Sequence, residues 1–233
     1  MEKSIEIIDF GLQDYGVTLD IQKNLFSKLI EAKRGKKGEK EYLLLGEHPD
    51  VITLGRRAQE SNVLYPEKYL KKKGIGIYHI GRGGDVTFHC PGQLIAYPIL
   101  DLDKYKLGVK EYVNLLEEAV IRLLEKYGVK GERVEGATGV WIEKDTPKER
   151  KICAIGVKCS FFCSMHGLAL NINSDLTGFQ LINPCGFKDK GVTSLQIETG
   201  EKIDMEKLKV EFSDIFLSLI FSFKEVLDLS EKL

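Results

Sequence analysis

The sequence predicts one α+β domain spanning residues 1–233, built on a mixed, largely antiparallel sheet flanked by helices. Three observations carry this. Many short segments alternate apolar and polar residues, the signature of half-buried strands. Only a few stretches show the 3.6-residue apolar stripe of a helix. No repeat, linker or low-complexity tract interrupts the 233 residues, a length that buries a full core.

Taken in order, residues 4–10 (SIEIIDF) alternate as a strand, and 18–33 follow as a helix with Leu19, Leu25, Phe26, Leu29 and Ile30 on one side. EYLLLGE and DVITLG read as short strands separated by the turn residues His48, Pro49 and Asp50. A lysine-ended helix is expected at 66–73, then a strand in GIGIYHI, and two more in DVTFH and LIAYPIL around the turn CPGQ. Residues 109–128 form the clearest helix, with Tyr112, Leu116, Val120, Leu123 and Leu124 in the stripe and Gly128 as the stop. Strands follow near 133–135, 138–143, 151–159 and 165–172, the polar loop EKDTPKER lying between the second and third. After the Gly- and Pro-punctuated segment 173–192, a last helix covers about 205–224.

Composition narrows the function classes. A formal net charge of -1 gives no global attraction to nucleic acid. Basic runs at 33–40 (KRGKKGEK) and 71–73 (KKK) are either solvated or a local docking surface for an acidic partner. No apolar stretch reaches the roughly 18 residues that span a bilayer, and the N-terminus lacks the apolar core of an export signal, so the expectation is a cytoplasmic protein without a membrane. In that compartment five cysteines are not a disulfide framework. Nor do they suggest a metal site: no CxxC occurs, and Cys153 and Cys159 would stand some 20 Å apart on one strand at about 3.3 Å per residue.

Three segments carry chemistry. In GRGGDVTFHCPGQ (81–93) the glycines let backbone approach a ligand closely, but a strand follows them instead of a helix, which argues against a dinucleotide cradle. In MHGLALNI (165–172), Gly167 and Ala169 are small residues inside a strand, a sign of close approach by a ligand or another backbone. AIG at 154–156 repeats this on the preceding strand, so the two could share an apolar slot fit for an acyl chain. The third is Cys185 in INPCG. A free thiol ionises near pH 8.5, and a nearby cation would lower that value; Lys151, His89 and His166 are the candidate partners.

Together, RGGDVTFHCPGQLIAYPILDL, KICAIGVK, MHGLALNI and INPCG, in this order and spacing, resemble the lipoyl(octanoyl) transferases, the octanoyl-[acyl-carrier-protein]:protein N-octanoyltransferases. EHPDVITLGRR at 47–57 joins them, so the resemblance covers most of 5–190. It implies the catalytic-domain fold of biotin and lipoate protein ligases. It makes Cys185 the nucleophile that carries an acyl thioester, and Lys151 the group that lowers its pKa and moves protons. It assigns substrate contact to Arg82, Gly83, Gly84, Asp85, Val86, Thr87, Phe88 and His89, to Ala154, Ile155 and Gly156, and to Gly167, Leu168 and Ala169.

The implied donor is octanoyl-acyl carrier protein, an acidic protein that presents the acyl group on its phosphopantetheine. The implied acceptors are lipoyl domains of 2-oxoacid dehydrogenase complexes and the glycine cleavage H protein. No metal or ATP is implied, and the enzyme would be a monomer. One departure stands out: this chain reads HCPGQ where the family usually reads HGPGQ, which puts a second thiol, Cys90, beside the site. Two other readings use the same residues. An ATP-dependent lipoate or biotin ligase would need no cysteine, and a non-catalytic domain would bind an acyl chain or its carrier.

Overall fold

A computed structural model describes residues 5–183 and 191–230, the last seven by backbone alone. The strands are β1 (Ile5–Leu12), β2 (Glu41–Glu47), β3 (Val51–Leu54), β4 (Gly76–His79), β5 (Val86–His89), β6 (Gln93–Ile99), β7 (Glu132–Val134), β8 (Ala137–Ile142), β9 (Arg150–Ser160), β10 (Cys163–Asn171) and β11 (Gly191–Val192). The helices are α1 (Tyr15–Arg34), α2 (Glu67–Lys72), α3 (Val109–Glu125), α4 (Leu195–Thr199) and α5 (Met205–Ser230).

The main sheet runs β1-β2-β6-β10-β9-β8-β7, with β11 alongside β9. Only β1–β2 and β11–β9 pair parallel in it; the other neighbours are antiparallel, as the sequence predicts. A second sheet, β4-β3-β5, was not expected as a separate layer. His48, Pro49 and Asp50 do end β2, but they pass the chain from one sheet to the other instead of closing a hairpin.

The central strands are apolar on both faces because both are covered. On β2, Leu43 and Leu45 face one core cluster and Leu44 the other, and β6 divides likewise, Leu94 and Ala96 against Ile95, Tyr97 and Ile99. The first cluster is closed by Leu116, Val120 and Leu123 of α3 and by Phe212, Phe216 and Ile220 of α5. The second is closed by Tyr15, Leu19, Phe26 and Leu29 of α1. Asp14 starts that helix by accepting from the Gly16 and Val17 amides. The small sheet has its own cluster, with Ile52, Leu54, Leu70, Val86 and Phe88. Between the α1 face of the main sheet and the small sheet lies the cavity described next.

Candidate active site

The two small-residue segments meet in register. Gly167 pairs with Gly156, Leu168 with Ile155, and Ala169 with Ala154, so the shared slot expected from the sequence is formed by facing positions of β9 and β10. All six residues line a cavity of about 380 Å³, within the usual range for a small-molecule site. The glycines also admit backbone. A Cβ on Gly156 would stand 2.8 Å from the Gly83 carbonyl oxygen, and one on Gly167 would stand 2.1 Å from that of Ala96.

The RGG loop is therefore seated directly on β9, where the Gly83 amide donates to Val157 O at 2.8 Å. Arg82 is buried and holds the loop to the small sheet. Its Nη2 donates to Thr53 O at 2.7 Å and to Thr53 Oγ1 at 3.0 Å, and its Nη1 donates to Gly83 O at 3.0 Å.

A polar chain continues from there through the protein. Thr53 Oγ1 lies 3.4 Å from His89 Nε2, and His89 Nδ1 lies 2.8 Å from Gln93 Oε1. Gln93 Nε2 donates to Phe88 O and Asn171 Oδ1, which makes Oε1 the acceptor and puts the imidazole proton on Nδ1. Asn171 donates to Thr193 O, and the Thr193 amide donates to Lys151 O. The RGG block, β5, β6, β10 and the Lys151 strand are thus tied by one network. Gln93, Asn171 and Thr193 were not singled out from the sequence, because a polar residue in a strand reads as solvent-facing.

Lys151 lines the cavity at the outer end of β9. Its Nζ donates to Thr138 O at 3.1 Å and stands 4.5 Å from the centre of the Trp141 ring. The same strand end is clamped by Arg150, whose fork donates to both carboxylate oxygens of Glu198 at 2.7 and 2.6 Å. About 16 Å further along β9, Gly156 marks the other end of the slot. Tyr15, Tyr97, His89 and His166 also line the cavity. Tyr15 stacks on His89 with ring centres 6.0 Å apart, and Tyr97 meets His166 edge-on at 6.4 Å.

Burial pushes both imidazoles down to about 3, with the Arg82 charge adding to the effect at His166. It also raises both phenols above their ordinary range. His166 holds φ +61° although it lies within β10, and its amide donates to Gln22 Oε1 at 3.2 Å. Its Nδ1 has no hydrogen-bond partner among the described residues.

Of the residues implied by the resemblance, Arg82, Gly84, Asp85, Val86, Thr87 and His89 line the cavity with Lys151 and the two small-residue segments. Gly83 contributes its backbone beneath the loop. Phe88 is turned into the core of the small sheet against Phe179. Cys185 lies outside the described residues. The described ends on either side are Asn183, whose amide donates to Asn62 O at 2.7 Å, and Gly191, paired with Arg150 beside Lys151.

Cys90 is 2% exposed, does not line the cavity, and has its thiol pushed up to about 12 by burial, which leaves it a small core residue. It keeps φ negative; Gly92 takes the positive φ of that turn.

Residues 14–217 match the model of the lipoyl protein ligase A/B catalytic domain. Over 218 residues the chain is 49% identical to an octanoyltransferase of Parabacteroides distasonis, which covers 93% of this chain and 99% of that one. An octanoyltransferase of Bacteroides fragilis is 51% identical over 214 residues, covering 92% and 97%. Among solved structures, a bi-partite lipoate protein ligase from Thermoplasma acidophilum superposes with a TM-score of 0.69 at 16% identity, over 94% of this chain and 85% of that one. That identity speaks for the fold alone.

Proposed function

The chain belongs to the lipoyl protein ligase A/B catalytic-domain family and is an acyltransferase, and on that premise we propose that it transfers an octanoyl group in protein lipoylation. In this reading octanoyl-acyl carrier protein is the donor and a lysine of a lipoyl domain, or of the glycine cleavage H protein, is the acceptor. The observation that carries it is the slot itself: facing small residues of β9 and β10 line a cavity with an amine, Lys151, at one end. Burying about seven apolar carbons there would contribute roughly 6 kcal/mol, at about 0.8 kcal/mol for each.

The proposed course has two steps. The Cys185 thiolate attacks the thioester carbonyl; the new C–S bond forms as the old one breaks, and the phosphopantetheine thiol departs with a proton. The acceptor lysine amine then attacks the enzyme thioester, forms the amide, loses a proton, and returns Cys185 to thiolate. Lys151 stabilises the thiolate and serves as the proton relay. Neither ATP nor a metal takes part in this course. The small-residue slot suits the acyl chain, and the amine at the Lys151 end suits the chemistry.

Intact-mass measurement after mixing with octanoyl-acyl carrier protein tests it. The expected result is one octanoyl adduct on Cys185 that is discharged by a lipoyl domain and lost in Cys185→Ser. The absence of any adduct on folded wild type would sink the covalent course. A fully active Cys185→Ser chain that requires ATP would mean a ligase instead.

A further inference from the structure

We propose that the acyl carrier protein docks on the exposed face formed by Leu64, Tyr65, Lys68, Tyr69 and Lys72, at α2 beside the cavity mouth. The inference rests on the reading above and assigns the surface its donor uses. Leu64, Tyr65 and Tyr69 are 53%, 43% and 41% exposed, and the two tyrosine rings stack with centres 5.1 Å apart. Exposed tyrosines are enriched at protein interfaces over ordinary surface, and the lysines beside them add the charge that steers an oppositely charged partner. Lys68 and Lys72 are exposed and make no ion pair among the described residues, whereas Lys71 is held by Glu67 at 2.6 Å. In a chain of net charge -1 this is a local positive face with apolar anchors, the complement of an acidic carrier.

Continuity with the site singles out this face. Val63 bridges Ile182, the Leu64 amide donates to Leu181 O at 2.9 Å, and Asn62 Nδ2 donates to Asp85 Oδ2 at 2.7 Å. Asp85 and Phe179 line the cavity, so the segment that leads into this face, through Asn62, is tied to the cavity wall. Arg57, just ahead of this segment in the chain, is exposed and also lines the cavity.

The other basic run does not share this position. Lys33 is committed to Asp101 and Asp103, and Lys40 pairs with Glu6. Arg34 stacks on Phe161 at the β9–β10 hairpin tip, ten residues and about 30 Å along the strand direction from Lys151.

The test compares wild type with Lys68→Glu/Lys72→Glu and with Arg34→Glu/Lys36→Glu, each checked for an unchanged melting curve. Two donors are used: octanoyl-acyl carrier protein, and an octanoyl-pantetheine thioester without the protein. For Lys68→Glu/Lys72→Glu, kcat/KM with the carrier-bound donor should fall about 10-fold or more at low ionic strength, through KM, and the gap should narrow as salt rises. The carrier-free donor, the KM for the lipoyl domain, and Arg34→Glu/Lys36→Glu should be unaffected.

Equal losses with both donors, no loss with the carrier, a rise confined to the lipoyl-domain KM, or a loss in the Arg34 variant instead would each overturn the assignment. If wild type takes octanoyl from the free thioester but never from the carrier, the proposed function itself fails, an outcome visible before any variant is made.

Discussion

Replacing Gly156 by alanine should detach the RGG loop from β9. The added Cβ would lie 2.8 Å from Gly83 O and 3.0 Å from Arg82 Cδ, while ordinary contact begins at 3.4 Å, so the loop must retreat by about 0.6 Å. That retreat stretches the 2.8 Å bond from the Gly83 amide to Val157 O past the usual hydrogen-bond limit of about 3.2 Å. Overpacking contributes roughly 1–3 kcal/mol and the lost bond roughly 0.5–1.5 kcal/mol, about 2–4 kcal/mol together. For a chain of this size that is a fall in Tm of roughly 5–15 °C.

The loop also shapes the cavity wall, and displacement on this scale costs a transfer enzyme up to about 100-fold in kcat/KM. Thermal unfolding and octanoyl transfer to a lipoyl domain measure the two effects. Gly38→Ala, whose Cβ would meet nothing within 4 Å, is the control. A Gly156→Ala chain with Tm within about 1 °C of wild type and kcat/KM within about twofold would refute the seating of the loop on β9.

Three further outcomes are expected. Lys151→Ala should shift the pH profile of iodoacetamide labelling at Cys185 upward; an unmoved profile would reject the proposed role of the amine. Cys90 should resist the same reagent in the folded protein near neutral pH, because its thiol is buried and pushed up to about 12, and Cys90→Ala should keep transfer activity. Acid should destabilise the fold through His89 and His166. Both have folded values near 3 against an ordinary value near 6.5, so between these the unfolded chain binds more protons. Stability is then at its full level above pH 6.5 and falls as pH drops, approaching about 1.4 kcal/mol per pH unit for each imidazole. A denaturant midpoint that stays flat from pH 7 to pH 4 would contradict that.

Much of the fold was legible because it rests on local pattern. The runs in β2, β6 and β10 were legible as strands, although they are covered on both faces where alternation implies half-buried ones, and the facing pairs 154–169 and 156–167 follow from two small-residue strands joined by a short turn. Pairing partners are not local, so the transfer of the chain at His48–Asp50 from the main sheet to β3 was not readable. Nor was the φ of +61° at His166, since nothing in MHGLALNI demands it. The helix α4 was missed because five residues carry no periodicity; its start depends on Ser194 Oγ accepting from the Ile197 amide. The segment around Lys151 was legible as a cleft edge, but its hold through Thr193 and Glu198 depends on residues more than 40 positions away.

The cavity's titratable groups differ in what they can do near neutral pH. A general acid or base works best with a pKa near the operating pH. Burial moves His89 and His166 far below that range and Tyr15 and Tyr97 above it, so none of the four is fitted to shuttle protons near neutrality. The guanidinium of Arg82 does not deprotonate, and its donors are directed at Thr53 and Gly83. Apart from Arg82, which stays charged and committed to the RGG loop, these groups are neutral and buried and serve as cavity wall. The remaining lining amine is Lys151, held over Trp141 at the outer end of β9. Proton transfer in the proposed course therefore belongs at that end, next to where β11 returns alongside Lys151, and not with the histidines that a motif-based reading would first choose.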